Sequence, residues 1–173
     1  MRIGVIGRGV VGHATAEAFR PHVDEVRCWD VIDAKCTHSL HDTVCGTDLC
    51  FVCLPTPQQK DALACDTSIV CEFFRHMSEL GKGDTNFVLR STVPVGTTRM
   101  LRDKYGMVNL VHSPEFLTAR TAEHDACNPT RMVIGDPICK HGRGSLDGTG
   151  CLTPLLGLYR TTWSSIPIQV MTS

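Results

Sequence analysis

The sequence predicts an α/β domain with a doubly wound, mostly parallel sheet and helices on both faces. Three observations predict it. Short apolar runs alternate with helix-patterned segments along the whole chain. The runs are apolar throughout rather than alternating, as in strands buried on both faces. The first run leads through a glycine-rich turn directly into an alanine-rich helical stretch, the order of a βαβ unit. Right-handed crossovers then arrange such units as a doubly wound sheet.

The elements follow in order. Residues 3–6 form the first strand and residues 12–19 a helix, closed by Pro21. Glu25 to Trp29 is the second strand, and residues 49–54 the third. Pro55-Thr56-Pro57 ends the third strand, because proline lacks the N–H a ladder needs. Asp66 or Thr67 then caps a helix on which Ile69, Val70, Phe73, Phe74, Met77 and Leu80 recur at helical spacing, with Gly81 as terminator. A strand at Phe87 to Leu89, a helix at Thr97 to Tyr105, and strands at 108–111 and 132–134 come next. Residues 139–150 are glycine-rich and read as a surface loop. Residues 152–159 form a last helix and 166–171 a last strand.

Composition narrows the function. With 173 residues, 42% hydrophobic and 20% charged, and a net charge of −1, the chain has the profile of one globular domain with a sizeable core. The near-neutral balance argues against a nucleic-acid binder. No apolar run approaches the roughly 20 residues that span a bilayer. The chain begins directly on a strand, so no signal peptide is expected, and the expected location is the cytoplasm. Ten cysteines raise the question of metal or disulfides. Cys50-Phe51-Val52-Cys53 is formally C-x-x-C, but in a strand residues i and i+3 point to opposite faces. No second such pair completes a zinc site, so no metal is expected and the thiols read as reduced.

Five strand ends carry the chemistry. Gly7-Arg8-Gly9-Val10-Val11-Gly12 follows a strand and opens a helix. Gly7 permits the tight turn, Gly9 lets the backbone approach a pyrophosphate, and Gly12 lets helix and strand pack closely. The pyrophosphate then meets free N–H groups of the first turn, at Val10 and Val11, and the positive end of the helix dipole. Asp30, at the end of the second strand, is placed to accept hydrogen bonds from the adenosine ribose, which favours NAD over NADP. Asp33, in the following loop, is the alternative. Pro55 and Pro57 fix the backbone and keep the cleft floor clear, and Pro55 and Thr56 are candidate cofactor contacts. Ser91 and Thr92 end the next strand, where their hydroxyls either meet a ligand or cap the following helix. Glu115, between Pro114 and the apolar Phe116-Leu117, ends the strand after that. Ligands of such sheets bind outside the carboxyl ends of the strands, so these turns converge on one edge.

This set resembles the NAD-binding, Rossmann-type half of the UDP-glucose/GDP-mannose dehydrogenase family. The family pattern is matched by Gly7-x-Gly9-x-x-Gly12, Asp30, Leu54-Pro55-Thr56-Pro57, Asp66-x-Ser68 and Ser91-Thr92-Val93-Pro94-Val95-Gly96. It is matched further by Ser113-Pro114-Glu115-Phe116-Leu117, Ala122, Asp125 and Arg131-Met132-Val133-Ile134-Gly135. The resemblance implies oxidation of a nucleotide sugar's CH2OH to a carboxylate, with NAD as cofactor. It implies that Glu115 handles protons and water at the hydrolytic step, that Thr92 orders the water, and that Phe116 and Leu117 lie along a UDP- or GDP-sugar. Two departures stand out: Thr118-Ala119-Arg120 lacks the family's acid, and Arg8 brings a cation into the glycine loop. The family's nucleophilic cysteine lies in a second half. Residues 1–173 are therefore expected to be the NAD-binding domain alone, without the linking helix and the sugar-nucleotide domain. A homodimer or a partner chain is compatible with that reading. The alternatives are a non-catalytic dinucleotide-binding or interaction module that kept the fold, and a short dehydrogenase for a simple hydroxy acid.

Overall fold

The computed structural model describes residues 1–58, 65–137 and 150–173. Seven strands, β1 (Arg2–Ile6), β2 (Glu25–Trp29), β3 (Leu49–Val52), β4 (Phe87–Leu89), β5 (Leu110–His112), β6 (Met132–Asp136) and β7 (Ile168–Thr172), form one sheet in the order β2-β1-β3-β4-β5-β6-β7. The strands from β2 to β5 are parallel, β6 runs antiparallel to β5, and β7 is parallel to β6. The chain steps out from β1 to β2 and then back across to β3. The ends of β1 and β3 therefore flank a switch point, where a crevice opens.

Helices α1 (Val10–Phe19), α2 (Leu40–Cys45), α3 (Ser68–Glu79), α4 (Thr97–Tyr105), α5 (Ala122–Cys127) and α6 (Leu152–Thr162) connect the strands. Side-chain alternation along the strands splits the core into two layers. Ile3, Val5, Leu49 and Phe51 pack with Phe19 of α1 and with Leu155 and Tyr159 of α6. Ile6, Cys50, Val52, Phe87 and Leu89 pack with Val70, Phe74 and Met77 of α3 and Leu101 of α4. Each layer has an aromatic centre. Phe19 stacks on Phe51 at 5.1 Å in the first, and Phe74 meets Phe87 edge-on at 5.3 Å in the second.

The predicted doubly wound, mostly parallel α/β architecture is what the chain adopts. The expected bounds of Glu25–Trp29, Phe87–Leu89 and Thr97–Tyr105 coincide with β2, β4 and α4. Other ends shift for local reasons. β3 stops at Val52 because its neighbour β1 stops at Ile6, and the Cys53 N–H donates to the Ile6 carbonyl as the last rung. Val108 precedes β5 and is partly exposed; its N–H donates to the Gly83 and Gly106 carbonyls. β7 starts at Ile168, where the Pro167 carbonyl accepts from the Met132 N–H. Ile69 of α3 and Leu80, the residue that follows the helix, are exposed instead of joining the buried stripe. Asp66 is the residue whose carboxylate serves the start of α3, accepting from the Ser68 N–H at 2.8 Å, while the Thr67 side chain caps nothing. α2 and α5 were not expected at all. Cys50 and Cys53 lie in opposite core layers, as a strand pair at i and i+3 must. The stretch 139–149 lies outside the described residues.

Candidate functional site

The carboxyl ends of β1, β2, β3, β4 and β5 open onto a cleft of about 510 Å³. Gly7, Gly9, Val10, Val11, Asp30, Pro55, Thr56, Ser91, Thr92 and Glu115 all line it, so nearly every residue singled out from the sequence for this edge comes together. Gly7 has φ +85°, and a Cβ there would lie 2.6 Å from the Cys53 carbonyl. That combination of handedness and closeness admits only glycine. Gly12 does not line the cleft. A Cβ on it would stand 1.8 Å from the Gly7 carbonyl, so its part is to seat α1 against the loop. A Cβ on Gly9 would meet nothing within 4 Å.

α1 begins at this loop with Gly9 as N-cap, no side-chain cap and no acid in its first turn. The first N–H groups of a helix have no partner within it. Here they meet the open cleft together with the positive end of the dipole, the arrangement that receives a phosphate. The carboxylate of Asp30 is held by backbone donors: Arg8 N–H to Oδ2 at 2.6 Å and Ile32 N–H to Oδ1 at 2.9 Å. A carboxylate so fixed at the end of β2 retains lone pairs for hydroxyl donors. Asp33 lies in a single 3₁₀ turn after β2 and does not line the cleft. Arg8 turns away from the phosphate loop. Its guanidinium is 3.4 Å from the Lys35 carbonyl and 3.9 Å from the Glu17 carboxylate.

At the other end of the cleft, Ser91 is buried and its hydroxyl donates to the Leu54 carbonyl at 2.7 Å, tying the ends of β3 and β4 together. Neither Ser91 nor Thr92 caps α4, whose N-cap is Gly96 in the left-handed region at φ +86°. Thr92 is exposed in the cleft wall. Glu115 accepts a short hydrogen bond from the Leu117 N–H through Oε2. Phe116 and Leu117 do not line this cleft. They line a second one of about 300 Å³, with Asn128, Arg131 and Trp163, and Glu115 and Arg90 belong to the walls of both. The Arg131 guanidinium lies 4.6 Å over the Phe116 ring. Asp125 shapes the same wall by accepting from the Thr118 N–H at 2.9 Å and the Thr121 hydroxyl at 2.8 Å, which hold its carboxyl below the usual range.

Arg90, Lys35, Trp29, Val31, Cys53 and Ile69 line the first cleft without having been singled out from the sequence. The signal for Arg90 was present: a charged residue directly after the fully apolar run of β4. Cys53 is the one cysteine in that wall among the described residues, and burial pushes its thiol up to about 12. A thiol of that kind is not a nucleophile. Among the described residues, no group of three or more His, Cys, Asp or Glu side chains is gathered as a metal site would need. No helix among them is long and apolar enough to cross a membrane.

A parallel sheet with a switch-point crevice, a glycine loop opening a helix, and a fixed acid at the end of β2 define a dinucleotide-binding α/β domain. Comparison with known proteins makes this particular. The model of the UDP-glucose/GDP-mannose dehydrogenase family, NAD binding domain, matches residues 33–143. A UDP-glucose 6-dehydrogenase of Campylobacter jejuni is 26% identical over 165 residues, covering 79% of this chain and 42% of that protein. One of Rhizobium meliloti is 32% identical over 125 residues, covering 68% of this chain and 29% of that protein. Among solved structures, a ternary complex of GDP-mannose dehydrogenase from Pseudomonas aeruginosa shares the fold at a TM-score of 0.75 and 24% identity, over 99% of this chain and 46% of that one. The chain belongs to the UDP-glucose/GDP-mannose dehydrogenase family, as its NAD-binding domain, and its cofactor is NAD. It spans less than half the length of these relatives.

Proposed function

We propose that the chain is the NAD-binding half of an enzyme that oxidises the CH2OH of a nucleotide sugar to a carboxylate. The observation that carries this is the convergence of Gly7, Gly9, Val10, Val11, Asp30, Pro55, Thr56, Ser91, Thr92 and Glu115 on one cleft. In this reading Asp30 accepts from the adenosine ribose, and the first turn of α1 receives the pyrophosphate. Gly9 leaves the approach open, and Gly12 keeps the loop and helix in register. Pro55, Thr56 and the Ser91-tied ends of β3 and β4 form the floor under the nicotinamide end. NAD, when bound, accepts the hydride from the sugar carbon.

Glu115 stands where the two clefts join, so its carboxylate is reachable from the cofactor side and from the side of Phe116 and Leu117. With one oxygen held by the Leu117 N–H, the other is left to take a proton from water, and Thr92 across the wall orders that water. Phe116 and Leu117 offer an apolar edge and backbone groups to the UDP- or GDP-sugar. The buried state of Cys53 supports assigning the nucleophile to a second half, supplied by the same polypeptide or by a partner.

Calorimetric titration of the chain with NAD and NADP tests the reading. NAD is expected to bind with a Kd in the micromolar to millimolar range (roughly −4 to −8 kcal/mol), and NADP more weakly. Absence of NAD binding at millimolar concentration would sink it. Turnover of UDP-glucose by these residues alone would show instead that the nucleophile is not where it is placed here.

A further inference from the structure

Arg90 is a buried cation with no ion-pair partner among the described residues. It is only 6% exposed, and no carboxylate lies within ion-pairing distance among the described residues. Its Nη1 reaches the Ser113 hydroxyl at 3.5 Å and the Tyr159 hydroxyl at 3.4 Å, both long, and its Nε has no partner. The hydroxyls it touches do not need it. Ser113 and Tyr159 are 2.8 Å apart, and Ser113 donates to the Val133 carbonyl at 3.1 Å. Taking a charge out of water without a partner destabilises a fold, and replacing such a group with an apolar one of similar volume is commonly neutral or stabilising. The guanidinium nonetheless stands in the wall shared by both clefts, beside Ser91, Thr92 and Glu115.

We propose that Arg90 sets the redox-state preference of the bound cofactor, favouring NADH over NAD+ through its unpaired charge at the β4 end of the first cleft. This rests on NAD lying along that cleft with its adenosine at Asp30. NADH differs from NAD+ by one hydride, a proton with two electrons, so the nicotinamide ring passes from a formal charge of +1 to 0. A fixed cation in a wall of low polarity repels the first and is indifferent to the second. Glu115 acts in the opposite sense from the same wall, so without Arg90 the remaining charge there favours NAD+. At an effective dielectric near 20, unit charges on the order of 10 Å apart interact strongly enough for about a tenfold change in affinity.

The test is titration of the chain and of its R90M, R90Q and R90K variants with NAD+ and with NADH, alongside thermal melts without nucleotide. R90M is expected to lower the ratio Kd(NAD+)/Kd(NADH) about tenfold, chiefly by tighter NAD+ binding, and R90K to keep the ratio within about threefold. R90M without nucleotide is expected to melt no lower than the wild type. R90Q reads the same ratio if R90M does not fold. Binding of both nucleotides with an unchanged ratio in the neutral variants overturns the inference and leaves the cofactor site standing. Equal weakening of both nucleotides with a lower melting temperature makes Arg90 a structural residue and overturns it too. Failure of the wild type to bind either nucleotide overturns the cofactor site and this inference together.

Discussion

Along the first cleft the chain leaves several polar groups with bonding capacity to spare, whereas along the second several of its polar groups hold the walls to one another. The first turn of α1 has no side-chain cap, Asp30 is anchored but not saturated, and the buried Arg90 Nε has no hydrogen-bond partner. In the second cleft Asp125 is engaged by Thr118 and Thr121, Arg131 lies on Phe116, and the Trp163 indole N–H donates to the Cys127 carbonyl. The difference follows from how the walls are made. The first cleft lies at the ends of parallel strands, where the backbone itself supplies donors and a dipole. The second lies where antiparallel β6 ends the parallel run and loops 114–118 and 128–131 must be held by side chains. A preorganised cleft loses less freedom when a ligand binds.

The glycines of the first cleft separate shape from access, and they give the largest expected effect. Gly12→Val forces a side chain into the Gly7 carbonyl and must displace either α1 or the loop. We expect NAD affinity to fall by about 100-fold or more and stability by about 1–3 kcal/mol. Gly9→Ala meets no protein atom and should leave the melting temperature within about 1 °C while still weakening NAD. Paired melts and titrations check both. If Gly9→Ala bound NAD normally, the phosphate would not lie over this loop.

Asp30→Asn comes next in size. The variant keeps the shape but replaces one acceptor oxygen with a donor, facing either the Arg8 or the Ile32 N–H. Loss of a charged acceptor costs about 1.5–3 kcal/mol, so NAD should weaken by about 10- to 100-fold, and discrimination against NADP should shrink. Titration with both nucleotides measures this. An unchanged preference for NAD would show that the Asp30 charge is not what discriminates, since the cations at that end, Lys35 and Arg8, favour the extra phosphate of NADP.

Where the sequence was legible, local punctuation coincided with burial. β4 is an apolar run closed by Arg90-Ser91, and α4 is bounded by Gly96 and Gly106, both in the left-handed region. α2 and α5 escaped notice because six residues are too few to show a period, although Ser39 and Asp42 form a reciprocal cap at the start of α2. The convergence of the strand ends was legible, since it follows from parallel order alone. What was not legible was which polar side chains are already engaged. The Ser91 hydroxyl was expected to meet a ligand or cap a helix, yet it belongs to Leu54, and Arg90, which drew no reading, is buried against Tyr159 and Ser113. Those partners lie 69 and 23 residues away, so no window on the chain contains them.

The smallest expected effect tests whether the two clefts are as independent as their construction implies. Phe116 is 55% exposed, and the Arg131 guanidinium lies over its ring. A cation–π pair at an exposed site is worth about 0.5–1 kcal/mol. Phe116→Ala should therefore lower the melting temperature by only about 1–4 °C. Arg131, released from the ring, becomes free to pair elsewhere in the second cleft. The first cleft should not register the change, because Glu115 is held by the Leu117 N–H rather than by the ring. NAD affinity should stay within about twofold, less than half a kcal/mol. A tenfold loss would mean that the loop carrying Glu115 transmits strain from one cleft to the other. The stapled wall would then be part of the cofactor site rather than a separate one.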